Sequence, residues 1–192
     1  MPLSSAVRRA VACFLAAFLA LGAAPALAVK SEEAVSVLYA TLKPVEDNLV
    51  LSAAMTVRLN KTQEEALKKG LSLHFVTDFE LERVRSWWFN ENVIQISRGG
   101  RLSYNLLTRR YQIETADNYK AFDTQAEALA ELGRAEAWVV GSRKLLRPGE
   151  QYMAALRLRL DQGQLPKPLQ INALASGKWE VESEWHTWGL NP

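Results

Sequence analysis

Cysteine is almost missing from this chain. Cys13 is the only one in 192 residues, and it lies inside an apolar run near the start. Beyond that run there is no thiol, which excludes a disulfide framework and a cysteine-type zinc site. Histidine is nearly as scarce, with only His74 and His186. A metal centre would have to rely on carboxylates around one of them. No glycine-rich phosphate loop is present: Gly99-Gly100 stand between two alternating segments, not between a strand and a helix. A basic excess is missing too. The chain has 23 Lys+Arg against 21 Asp+Glu. The N-terminal segment carries Arg8, Arg9 and no acid, so the remainder holds 21 of each sign. Nucleic-acid binding would need a basic stripe, and none is seen.

What is there begins with the N-terminus. Arg8 and Arg9 form a positive start, Ala10 to Ala24 an apolar core, and Ala26-Leu27-Ala28 a small-x-small cleavage site. This pattern predicts a signal peptide over residues 1–28 and a periplasmic protein beginning near Val29. Membrane contact is expected only through a leader that stays uncleaved. Residues 29–192 then make a single domain. A domain of that size buries about 70% of its unfolded surface without covalent staples.

Period-two alternation dominates the rest. Leu49, Leu51, Ala53, Met55, Val57 and Leu59 share one face of an extended segment. Leu71, Leu73, Phe75, Phe79 and Leu81 share another, in a run expected to break near Arg85. Tyr152, Ala154, Leu156, Leu158 and Leu160 form a third. Trp179, Val181, Ser183, Trp185 and Thr187 form a fourth. Weaker strands are expected over Ala34–Leu42, Val93–Ser97, Leu102–Thr115 and Ala135–Arg143. Arg98-Gly99-Gly100-Arg101 reads as a hairpin turn, and Arg147-Pro148-Gly149-Glu150 as a second turn. Capping boxes at Thr62–Glu65 and Thr124–Glu127, with Gly70 and Gly133 as stops, predict two helices. A third short helix is expected over Pro168–Leu174. The fold class is mainly β: an antiparallel β-sandwich-like domain of about eight strands with two or three short helices.

Several stretches carry a family likeness. They include Arg83-x-x-x-Trp87, Leu102-Ser103-Tyr104, Leu107-Thr108-x-x-Tyr111, Phe122-Asp123-Thr124, Leu165-Pro166-x-Pro168-Leu169 and Trp179-x-x-x-Ser183-x-Trp185. Over roughly Ser36 to Trp188 the chain resembles a proteobacterial family of exported proteins, catalogued as a domain of unknown function. Its members are typically encoded beside a nitrogen-regulation-type sensor histidine kinase. The resemblance implies an envelope location and a link to signalling. It implies no reaction, substrate or cofactor, and it supplies no catalytic residue.

The candidate chemistry is thin. Ser72, His74 and Asp78 share the polar face of one strand, but Asp78 lies about 13 Å along it from His74, too far to orient the imidazole. A carboxylate hydrolase built on Asp78, Glu80 and Glu82 has no motif behind it. Aromatics are the stronger signal, with six tryptophans. Trp179 and Trp185 fall on an apolar face and read as core. Trp87 and Trp88 are neighbours on an expected strand and so point to opposite faces. Trp88, Phe89 and Trp188 are therefore the candidates for an exposed apolar patch. Arg85, Arg109 and Arg110 would join them if the Gly99-Gly100 hairpin folded back on the tryptophans. The reading is a non-enzymatic interaction module with an envelope protein partner, no cofactor and no metal. The alternative is a periplasmic carrier of an apolar or glycan ligand, which would need an enclosed pocket of about 300 Å³ or more.

Overall fold

The alternating segments pair as their patterns require. In the computed structural model, residues 34–192 are described, the side chains of Asn172, Leu174 and Ala175 apart. They form β1 (Val35–Val45), β2 (Asn48–Val57), α1 (Lys61–Lys68), β3 (Leu73–Arg83), β4 (Glu91–Asn105), β5 (Arg110–Thr115) and β6 (Tyr119–Phe122). Then follow α2 (Gln125–Leu132), β7 (Arg134–Ser142), β8 (Tyr152–Leu160), α3 (Lys167–Ser176) and β9 (His186–Leu190). Two antiparallel sheets result. One has the order β1-β2-β7; the other has β6-β5-β4-β3-β8-β9. The expected mainly-β, two-sheet architecture is what the chain adopts, with nine strands and three helices among the described residues. The described residues form one compact unit with one continuous hydrophobic core. The expected signal peptide and its cleavage site lie outside the described residues.

The core is made by the apolar faces read from the sequence. Leu49, Leu51, Ala53, Met55 and Val57 of β2 are all buried, as are Leu73, Phe75, Phe79 and Leu81 of β3 and Tyr152, Ala154, Leu156, Leu158 and Leu160 of β8. The two sheets meet through the edge-to-face pair of Phe79 on β3 and Trp138 on β7, 6.5 Å between centroids. Gly141 of β7 lets them approach closely: a Cβ there would lie 2.7 Å from Ile94 Cδ1. The opposite face of the larger sheet is polar.

Local expectations were corrected in three places. Gly99-Gly100 is not a turn; β4 runs straight through it, with Gly99 opposite Val76 and Gly100 opposite Phe75. The reason for Gly100 is space. A Cβ there would sit 3.1 Å from Leu132 Cδ1 of α2, which packs across the strand. The first capping box is shifted: Asn60, not Thr62, caps α1, with Gln63 as its reciprocal partner. Gln63 also donates to the Lys178 carbonyl at 2.9 Å, tying the helix to a distant turn. The second box, Thr124 with Glu127, stands where the pattern put it.

The third correction concerns the last strand. Trp179, Val181 and Ser183 are buried together, and Leu160 and Leu158 of β8 hydrogen-bond to this segment. Beyond Ser183 the alternation slips by one residue. Trp188 then pairs with Ala154 and His186 with Leu156, so the even positions turn inward. Trp188 reaches Phe79 at 6.3 Å. Trp185 instead goes to the polar face and lies under the Arg157 guanidinium, 4.4 Å from its ring centre.

Candidate functional site

The candidate site is the connection between β3 and β4. The run of alternation ends at Arg83, and residues 85–90 are all exposed. Ser86 and Asn90, both turn formers, bracket three consecutive aromatics. Trp87 is 94% exposed, Trp88 77% and Phe89 89%. Neither tryptophan is on a strand, so the expected placement of the two on opposite faces of a strand fails. Consecutive aromatics cannot alternate with polar residues, and that break in period is the signal that marks a tip.

The stem beneath the tip is well fixed. Glu91 accepts hydrogen bonds from both Arg83 and Arg85, forming a carboxylate bridge between two guanidiniums. Arg83 is buried on the core side of the sheet. The bond from Arg83, reinforced by Arg85, holds the Glu91 carboxyl below its ordinary pKa against the opposing effect of desolvation. Asn90 donates to Glu82 at 3.0 Å across the hairpin, and the Val84 amide donates to the Gln151 carbonyl at 2.8 Å. A braced stem thus carries three large aromatics that are mostly exposed. Burying each such side chain removes about 150–250 Å² from water, so leaving three outside forgoes stabilisation that the fold does not recover. Exposed apolar clusters of this size mark binding surfaces.

Other parts of the molecule gather at the same end. Register places Arg83 opposite Tyr152 and Tyr152 opposite Leu190. The Arg147–Glu150 turn and the C-terminal residues therefore flank the hairpin base. An apolar cavity of about 360 Å³ opens there, lined by Leu42, Pro44, Leu49, Leu146, Pro148 and Leu190 among others.

The expected patch does not assemble as a whole. Arg85, Trp88 and Phe89 are together at this end. Arg109 and Arg110 lie at the other end of β4, where Arg110 pairs with Asn105; its 15 residues span about 45 Å at ordinary strand rise. The hairpin that would have brought them back does not exist. Arg110 is engaged with Asp123 at 2.8 Å, and Arg109 holds a left-handed backbone (φ 55°) in the β4–β5 turn. That turn presents Leu107, 95% exposed, which the pattern alone had not marked. Trp188 is half-buried against Phe79 and is not a patch residue.

The polar face of the larger sheet is the other place where chemistry could reside. Asp78 is buried there and accepts from Ser97 at 2.7 Å, Arg159 at 2.9 Å and Arg157 at 3.1 Å. Burial alone would raise its pKa, but these three donors outweigh it and the carboxyl is held below its ordinary value. A carboxylate so satisfied clamps β3, β4 and β8 together. His74 lies on the same face opposite Arg101. Among the described residues no cluster of His, Cys, Asp and Glu is arranged to hold a metal ion. No helix among them is long and apolar enough to cross a membrane.

The profile of a family described as a domain of unknown function (DUF4390) matches residues 32–189, which takes in all three described helices and both sheets but for Leu190, the last residue of β9. The chain belongs to the DUF4390 family. No curated protein and no solved structure matches it. The DUF4390 match covers the aromatic tip and its Arg83–Glu91–Arg85 stem together, so both belong to the family domain and not to an appended segment.

Proposed function

We propose that this DUF4390 domain is a non-enzymatic interaction module of the cell envelope, docking through the aromatic tip at 87–89. One observation carries the reading: three adjacent aromatics stand largely exposed on a stem pinned by two arginines and a glutamate. The well-partnered Asp78 speaks against acid–base chemistry on the polar sheet. The export-type leader and the resemblance to exported proteins encoded beside a sensor histidine kinase support an envelope setting linked to signalling.

A photo-crosslinking residue in place of Trp88 tests this in cells. Adducts are expected at position 88 and not at the exposed control position Asp117 on the β5–β6 turn. Equal, background-level labelling at both sites would overturn the assignment of the tip.

A second reading rests on the cavity lined by Leu42, Leu49 and Leu190. Its volume is in the range of small-ligand sites, which supports carriage of a small apolar ligand. Native mass spectrometry of protein purified from cells would then show a co-purified apolar adduct; a clean protein mass would remove this reading.

A further inference from the structure

We infer that the occupant of the aromatic tip is the interfacial layer of a lipid bilayer, so that the domain seats on a membrane by its β3–β4 hairpin. The inference rests on the reading of 87–89 as the docking surface and goes on to name the surface it meets. Three observations favour lipid over a protein groove.

The first is residue type. Tryptophan concentrates at membrane interfaces because its ring is apolar while its indole N–H still finds water or headgroup oxygen. Here two tryptophans and a phenylalanine sit side by side. The second is shape. The aromatics form a convex tip with exposures of 94%, 77% and 89%. A soft, planar, deformable layer receives such a tip without a matching cavity. A protein partner would need a groove shaped to the tip.

The third is the surround. Val45, at the β1–β2 turn, is about half exposed, and so is Leu145 after β7. The Arg143 amide donates to the Asp47 carbonyl, which places these two segments side by side. The cavity shared by Arg143, Leu146, Pro148 and Leu190 joins them to the hairpin's end of the larger sheet. Exposed apolar side chains thus also stand on turns at the same end of the molecule as the tip. Charge there is mixed: the exposed residues include Lys43, Arg143, Lys144 and Arg147 as well as Glu46, Asp47 and Glu150, and Arg85 is already on Glu91. These seven residues carry a net charge of only +1 (four cations, three anions), too small for strong attraction to anionic headgroups. Seating is therefore apolar and interfacial, with little preference for lipid charge. The sequence pattern had expected membrane contact only through a retained leader; the tip supplies a second, independent contact.

Flotation of residues 33–192 with phosphatidylcholine vesicles tests the inference, with a parallel set containing phosphatidylglycerol. The wild-type unit is expected to float with both, its tryptophan emission shifting to the blue. W87S/W88S/F89S is expected to lose at least about tenfold in partitioning while keeping the circular dichroism and thermal midpoint of the parent. A wild-type unit that stays in the aqueous fraction with both vesicles overturns the lipid assignment, as does equal flotation by the triple variant. The adduct formed in cells by a photo-crosslinker at position 88 of the full chain separates the two levels. A lipid adduct supports the inference. A protein adduct without lipid overturns it while leaving the interaction module standing. No adduct overturns both.

Discussion

Asp78 illustrates what one residue does for this fold. Its carboxylate ties three strands through Ser97, Arg157 and Arg159. Asp78→Asn removes the charge and leaves two guanidiniums facing each other. Breaking a fully buried pair costs about 3–5 kcal/mol; the arginines are partly exposed, so about 1–3 kcal/mol is expected here, measured by urea unfolding. The pH dependence has a definite sign. The folded-state pKa of Asp78 is depressed, as is that of Glu91. Their stabilisation is fully present above the unfolded carboxylate values near 4. It is lost as pH falls through the lower folded values, because the unfolded chain binds the protons first. The urea midpoint of the wild type is thus expected to drop below about pH 4, and Asp78→Asn to flatten that drop. An unchanged acid limb in the variant would remove Asp78 from the account.

At the scale of single elements, the helices and turns follow local grammar, but glycine positions follow packing. Gly133 ends α2, yet its φ is an ordinary −76°. It is glycine because a Cβ would lie 2.0 Å from the Met55 carbonyl oxygen of β2. Backbone on backbone cannot give way, and the Met55 amide donates to the Gly133 carbonyl at 2.8 Å in the same contact. Gly133→Ala is expected to cost upwards of about 2 kcal/mol, at the high end of overpacking changes. Gly99→Ala, with nothing within 4 Å of the added Cβ, is expected to stay within about 0.5 kcal/mol. Parallel denaturation curves check both, and similar costs at the two sites would contradict the packing explanation. Sequence reading named Gly133 correctly as a stop and misread Gly99-Gly100 as a turn. In each case the decisive neighbour, β2 or α2, is remote in the chain.

On the scale of the whole molecule, tryptophans divide into two populations that composition cannot separate. Trp179 is buried in the core, and Trp179→Ala is expected to destabilise by about 3–5 kcal/mol. Trp87→Ser and Trp88→Ser, at the tip, are expected to leave the unfolding free energy within about 0.5 kcal/mol. Calorimetry or urea unfolding of the three variants checks the division; a large loss from either tip substitution would mean that the tip packs on the fold. The same scale separates the arginines. Arg85 shares the hairpin end with the aromatics, while Arg109 and Arg110 sit a full β4 length away.

The chain by itself determined the antiparallel β class, the inward faces of β2, β3 and β8, the Thr124 cap and a break near Arg85. All of these rest on alternation or capping between residues a few positions apart, where the physics is local. Only the tertiary structure decided which aromatics find cover. The phase slip after Ser183 turns Trp188 inward and Trp185 outward, and the straight course of β4 parts Arg109 from Trp88. Burial depends on which strand or helix arrives from elsewhere in the chain. No short window of residues carries that information.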